Sequence, residues 1–293
     1  MELKAENVNS SSIAQAVEIP SGKDQPYENF PVGSWLLPAH LRPHVATFYE
    51  FARAIDDIAD SNTIEAREKF DRLSGFENAL LGKESILPGF SKAYTMRQSL
   101  IQTGVSNQHC LDLIRAFKQD TTKLRYENWG ELIEYCQMSA APVGRYLLDL
   151  HGESSREYIA SDALCNVLQV LNHLQDCKED YLNLNRVYLP LVWMRENGVS
   201  IQSLGASYSV PELKSVFLKM LDTAADLLDV ADMLPRRLAS KRLAMESQAI
   251  INIANILERE LRGRDPLAER VKLSKWQYVF SFATGALTAL FAN

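Results

Sequence analysis

The side chains best able to do chemistry lie in two acidic stretches, YEFARAIDDIAD at 49–60 and QVLNHLQDCKEDY at 169–181. On a helix each residue advances ~100°, so Tyr49, Arg53, Asp56 and Asp60 fall within about 60° of one another, with Asp57 at the edge of the stripe. Phe48, Phe51, Ile55, Ile58 and Ala59 take the other sides. The same arithmetic puts Gln169, Asn172, Asp176 and Asp180 on one arc of ~80°, while Leu168, Val170, Leu171 and Leu174 cover the rest. Each segment thus reads as a buried helix with one polar stripe. Aspartates gathered inside a protein repel and are costly to keep ionised, so arginines or divalent cations must compensate them. Mg²⁺ takes oxygen ligands and is typically held by a few carboxylates plus substrate phosphates. Bound cations turn an acidic stripe into a phosphate receptor, and Arg53 suits a diphosphate as well as orienting the acids. A lone D-D-x-x-D on a helix is more often a solvated patch. Two such stripes on apolar helices, each with amide or guanidinium partners, point to a site.

The elements that must carry these stripes are helices. From Pro38 onward apolar residues recur at helical spacing, predicting helices over 41–60, 63–82, 89–104, 106–120, 129–151, 155–182, 188–197, 210–232, 235–262 and 266–292. Breaks fall at Asn62, Pro88, Gly104, Gly152 and Gly198, and around Pro211 and Pro235. With 13 Gly and 11 Pro in 293 residues, the chain lacks the turn density of an all-β fold. No linker divides it. The expectation is a Ser/Asn/Glu-rich N-terminal arm over 1–26, then a single all-α domain over 27–293.

A net charge of -6 with no basic block argues against nucleic acid as a partner. The four cysteines form no C-x-x-C pair and read as reduced thiols of a cytoplasmic protein. The first 26 residues lack the apolar core of a secretory signal. His109, His151 and His173 show no zinc spacing and read as structural. No G-x-S-x-G, P-loop or G-x-G-x-x-G occurs, so no nicotinamide cofactor is expected. The uncharged C-terminal run WQYVFSFATGALTALFA, 276–292, is shorter than the ~20 apolar residues a spanning helix needs. It is either a terminal core helix or one lying against a membrane to deliver a lipid substrate.

Over about residues 27–275 the sequence resembles the squalene/phytoene synthases, the head-to-head trans-isoprenyl diphosphate synthases. The resemblance rests on YEFARAIDDIAD (49–60), YCQMSAAPVG (135–144) and LQVLNHLQDCKEDYLNLNRVYLP (168–190). Through ENFPVGSWLLP (28–38) and NHLQDCKEDY it is most similar to the bacterial hydroxysqualene synthase branch of hopanoid biosynthesis. The resemblance implies an all-α isoprenoid synthase bundle around a central cavity, with both acidic motifs at its mouth holding Mg²⁺. Asp56, Asp57 and Asp60, with Asp176 and Asp180, fall on metal-linked positions. Tyr49, Arg53, Gln169 and Asn172 fall on substrate-diphosphate positions, Tyr135 matches a tyrosine lining the reaction centre, and Arg270 aligns with an arginine near the diphosphate.

Three departures stand out. Gln175 replaces the arginine that precedes the second motif in members condensing two prenyl diphosphates. Tyr27-Glu28-Asn29-Phe30 replaces a Ser-x-Ser-Phe motif with a basic residue. Ile253 stands where a tyrosine is common. Loss of two basic groups suggests a site for one diphosphate, as a user of presqualene diphosphate requires. The implied reaction is ionisation of that C30 diphosphate, rearrangement and water capture, with Tyr135, Arg53 and Gln169 as catalytic candidates. A presqualene diphosphate synthase is then the implied functional partner, and the inner face of the cytoplasmic membrane the implied place of any peripheral contact. Rival readings are condensation of two prenyl diphosphates, a purely reductive squalene synthase, and a non-catalytic helical lipid-binding or assembly protein.

Overall fold

The computed structural model describes residues 36–83 and 88–291; the expected arm over 1–26 and the Tyr27–Phe30 departure lie outside them. The described residues form α1 (Arg42–Asp60), α2 (Ala66–Leu81), α3 (Ser91–Thr103), α4 (Gln108–Asp120), α5 (Trp129–Ser139), α6 (Ala141–Leu150), α7 (Tyr158–Gln175), α8 (Cys177–Leu184), α9 (Leu191–Glu196), α10 (Pro211–Ala231), α11 (Leu234–Arg237), α12 (Lys241–Gly263) and α13 (Lys275–Phe291). Among them there is no strand, only an isolated parallel bridge between Arg125 and Val187. The all-α expectation holds.

Local chemistry sets many of the ends. Gly82 and Gly104 adopt left-handed backbone at the ends of α2 and α3, a conformation an L side chain resists. Asn128 and Ser240 accept from the backbone amides of Glu131 and Leu243, capping α5 and α12. Four expected helices are corrected. The 129–151 helix breaks at Ala140, where the backbone leaves helical geometry just before Pro142. The 155–182 helix kinks at Asp176, which ends α7 and begins α8. The 235–262 helix begins as the short α11, and α12 restarts after the Ser240 cap. In the 266–292 stretch the helix begins only at Lys275, since 265–274 is irregular.

Two apolar clusters form the core. One is built around the inner faces of α1 to α4, the other around α5, α7, α10 and α12; Leu168 and Leu227 pack against both. The apolar side of α1 that the sequence marks is buried, with Phe51, Ile55 and Ile58 fully enclosed. At about 25 cal/mol per Å² such burial is the main source of stability, and it fixes the direction in which the polar stripe turns.

α13 is a terminal helix packed on the core, the first of the two readings of the C-terminal run. Its inner side packs on α12: Asn252 donates to the Ser281 carbonyl and the Thr284 hydroxyl, and Gly285 sits against the Ala249 backbone. Its outer side exposes Trp276, Val279 and Phe280, which helical spacing places on one face.

Candidate active site

A cavity of about 360 Å³ opens between α1, α4, α6, α7 and α12. Leucines, valines and the rings of Phe48 and Phe117 line most of it, while Tyr49, Arg53 and Asp56 of α1 meet Gln169 and Asn172 of α7 in the same wall. Five of the residues expected to bind substrate or metal are therefore brought together around one apolar hollow.

Asp57, Asp60 and Asp176 do not line the cavity and are held by arginines. Arg53 stands 2.9 Å from Asp57 Oδ1 and 3.5 Å from Asp56 Oδ2. Arg270 forms a two-pronged pair with Asp176, Nε–Oδ1 2.5 Å and a second nitrogen to Oδ2 2.9 Å. Asp60 meets Arg186 at 2.5 Å. Asp180 is half-buried in the first turn of α8 and does not line the cavity. Its backbone still receives Arg186 N–H at 3.0 Å and donates to the Asp176 carbonyl at 2.8 Å, so the kink keeps the two acids one turn apart.

Among the described residues no three acidic, histidine or cysteine side chains stand together as a ready-made metal cage. The charge compensation that clustered acids demand is supplied here by Arg53, Arg186 and Arg270. The donor set nonetheless suits a hard divalent cation: it is all oxygen, and the Asp56, Asp60 and Asp176 side chains keep 32%, 17% and 27% exposure.

Tyr135 is not in the cavity wall. Its ring is buried among Tyr126, His173 and Tyr188, and its hydroxyl donates to Asp120 Oδ2 at 2.7 Å. Burial pushes the Asp120 carboxyl up to about 7, against the opposing pull of Arg186. Gln175, the first departure, is buried and donates to the Val271 carbonyl, tying down the irregular stretch that carries Arg270. Ile253 lies in the second apolar cluster.

Several further residues shape the site. Arg186 is buried, donates also to the Ala59 carbonyl at 2.9 Å, and joins the end of α1 to the segment after α8. Its signal was available, as the one cation in the NLNRVYLP run that closes the second motif. Glu246 and Ser139 line the cavity; Ser139 belongs to the YCQMSAAPVG stretch, one turn beyond Tyr135, while nothing in the local sequence of Glu246 announces it. Read as structural, His173 contacts Gln169 at 3.3 Å; His109, by contrast, does pair with Asp149 at 2.8 Å away from the cavity.

Residues 24–277 match the squalene/phytoene synthase family, and the chain belongs to that family of enzymes. Among its relatives, the hydroxysqualene synthase of Rhodopseudomonas palustris is 41% identical over 277 residues, covering 94% of each chain. That of Sinorhizobium fredii is 44% identical over 247 residues, 84% of each. A crystal structure of a squalene synthase from Alicyclobacillus acidocaldarius superposes with a TM-score of 0.70 at 27% identity, covering 87% of this chain and 93% of that one.

Proposed function

We propose that this enzyme is a hydroxysqualene synthase, converting presqualene diphosphate and water to hydroxysqualene and diphosphate. The observation that carries the reading is the polar set Arg53, Asp56, Gln169 and Asn172 on the wall of an otherwise apolar cavity. Its volume, about 360 Å³, falls in the usual range of small-molecule sites. The names of the relatives at 41% and 44% identity support the same choice of product.

Arg53 and Asn172 donate hydrogen bonds to the leaving diphosphate, and Arg270 joins them by exchanging Asp176 for the substrate. Mg²⁺ held by Asp56, Asp57, Asp60, Asp176 and Asp180 would supply Lewis-acid neutralisation of the charge that develops on the departing oxygen. The apolar wall keeps bulk water from the carbocation while the ring opens. Phe48, Tyr49 and Phe117 are the aromatic residues of the wall itself and the nearest candidates to stabilise the cation; Tyr135 stands behind it. One water then captures the cation. In the proposed conversion nothing is oxidised or reduced, so it consumes no nicotinamide.

The outer face of α13 carries Trp276, Val279 and Phe280, with Lys272 and Lys275 exposed at its start. No described helix is long and apolar enough to cross a membrane. An aromatic ridge flanked by lysines suits the headgroup layer of an anionic leaflet, and this supports a peripheral position on the inner face of the cytoplasmic membrane. There a presqualene diphosphate synthase can pass it a substrate too greasy for water. Sedimentation with anionic vesicles should carry the protein down, and W276S/F280S should leave it in the supernatant; equal sedimentation of both removes this part.

The direct test supplies presqualene diphosphate and Mg²⁺ without NADPH, then identifies the extracted lipid. Hydroxysqualene is the expected product. Squalene formed only with NADPH, or turnover of farnesyl diphosphate alone, overturns the assignment.

A further inference from the structure

Gln169 reaches the cavity wall, and its amide nitrogen lies 3.3 Å from His173 Nε2 one turn further along α7. The imidazole cannot turn away. Its ring lies flat on Tyr188, centroids 3.6 Å apart and planes 14° apart, with Tyr135 on another side. Burial, with the nearby Arg186 charge, lowers its pKa to about 3, so it stays neutral with one ring nitrogen an acceptor; in the tautomer that carries its proton on Nδ1, Nε2 accepts from the Gln169 amide. An amide whose NH₂ is spent on that nitrogen has its oxygen at the opposite corner of a planar group. A second polar group stands in the same wall. Ser139, one turn beyond Tyr135 on α5, lines the cavity, and its buried hydroxyl has no hydrogen-bond partner among the described residues. A buried hydroxyl without a partner calls for an explanation.

We infer that His173 is a positioning residue that holds Gln169 with Oε1 toward the cavity, where Oε1 and the Ser139 hydroxyl together hold the water that captures the carbocation. The inference rests on the hydroxysqualene synthase reading. The C–O bond to diphosphate breaks with its electron pair leaving on diphosphate. The water oxygen then forms the new C–O bond, and the surplus proton of the resulting oxonium passes to the released diphosphate. Solvent supplies the water, and nothing is oxidised or reduced. Two fixed partners give that water one orientation. A cation that meets no held water loses a proton instead and becomes a hydrocarbon.

The test feeds presqualene diphosphate and Mg²⁺ to the full chain and measures the alcohol as a share of all C30 products, beside total diphosphate release. His173→Leu should lower the alcohol share about fivefold or more, since one hydrogen bond fixes the amide. His173→Gln, which restores an acceptor, should recover most of it. Ser139→Ala, a small change that spares the aromatic stack, should lower the share by itself. If His173→Leu or Ser139→Ala slows diphosphate release while the alcohol share stays at the wild-type value, the water-holding role is wrong. If the wild-type chain forms hydrocarbon only, the function reading fails and this inference with it; the wild-type control separates the two outcomes.

Discussion

Replacing Arg186 by methionine is the sharpest probe of how the first acidic motif is held. Arg186 is 5% exposed and donates to Asp60 Oδ1 at 2.5 Å, to the Ala59 carbonyl at 2.9 Å and to the Asp120 carbonyl at 3.5 Å. Methionine keeps the stem's apolar contacts and removes every donor. A charge-assisted hydrogen bond contributes roughly 1.5–3 kcal/mol and a neutral one about 1 kcal/mol. Breaking a buried pair from one side typically costs 3–5 kcal/mol, because the other charge is stranded. The two routes agree on about 3–4 kcal/mol. At roughly 2–4 °C per kcal/mol for a chain near this size, the melting point should fall by about 6–16 °C. Urea melts in EDTA measure this without contribution from bound cations, with the midpoint falling and the slope unchanged. Asp60→Asn should then cost less in the R186M background than in wild type, by the coupling energy of the pair. A loss under about 1 kcal/mol, the level of an exposed pair, would mean that Arg186 does not anchor Asp60, and the account of how α1 is tied down would be refuted.

Asp56→Asn and Asp176→Asn should each lower turnover by roughly 10²-fold, the scale of a lost metal partner, and EDTA should abolish turnover until Mg²⁺ is restored; near-normal turnover of either variant removes the cation reading. Asp120 makes stability depend on pH. Its folded carboxyl titrates near 7 against an ordinary 3.8, so between those values the folded chain binds more protons than the unfolded one, and stability falls as pH rises. Three pH units correspond to at most roughly 4 kcal/mol. Urea midpoints of wild type should therefore drop relative to Asp120→Asn between pH 4 and 7, and parallel profiles would refute the shift. Gly285→Ala should destabilise by about 1–3 kcal/mol, the usual cost of overpacking, because its Cβ would lie 2.6 Å from the Ala249 backbone nitrogen; an unchanged melt would show that α13 does not press on α12.

The amino-acid order determined the helices and the two polar stripes, because both are local. A 3.6-residue period sorts apolar from polar faces whatever lies opposite, so Tyr49, Arg53, Asp56, Gln169 and Asn172 could be assigned to inward faces before any packing was known. Spacing alone did not show which acids a guanidinium would claim. Asp60 and Arg186 are 126 positions apart and Asp176 and Arg270 are 94 apart, and pairs across such distances exist only once the chain is packed. The kink at Asp176 and the break at Ala140 likewise interrupt runs whose apolar period continues through them. Tyr135 went behind the wall rather than into it because Asp120 and three rings offered it a fully buried place. Periodicity reports which face of an element is buried; whether that face meets another helix or a hollow depends on what the rest of the chain brings opposite. That is why Ser139, Glu246 and His173 became legible only in three dimensions.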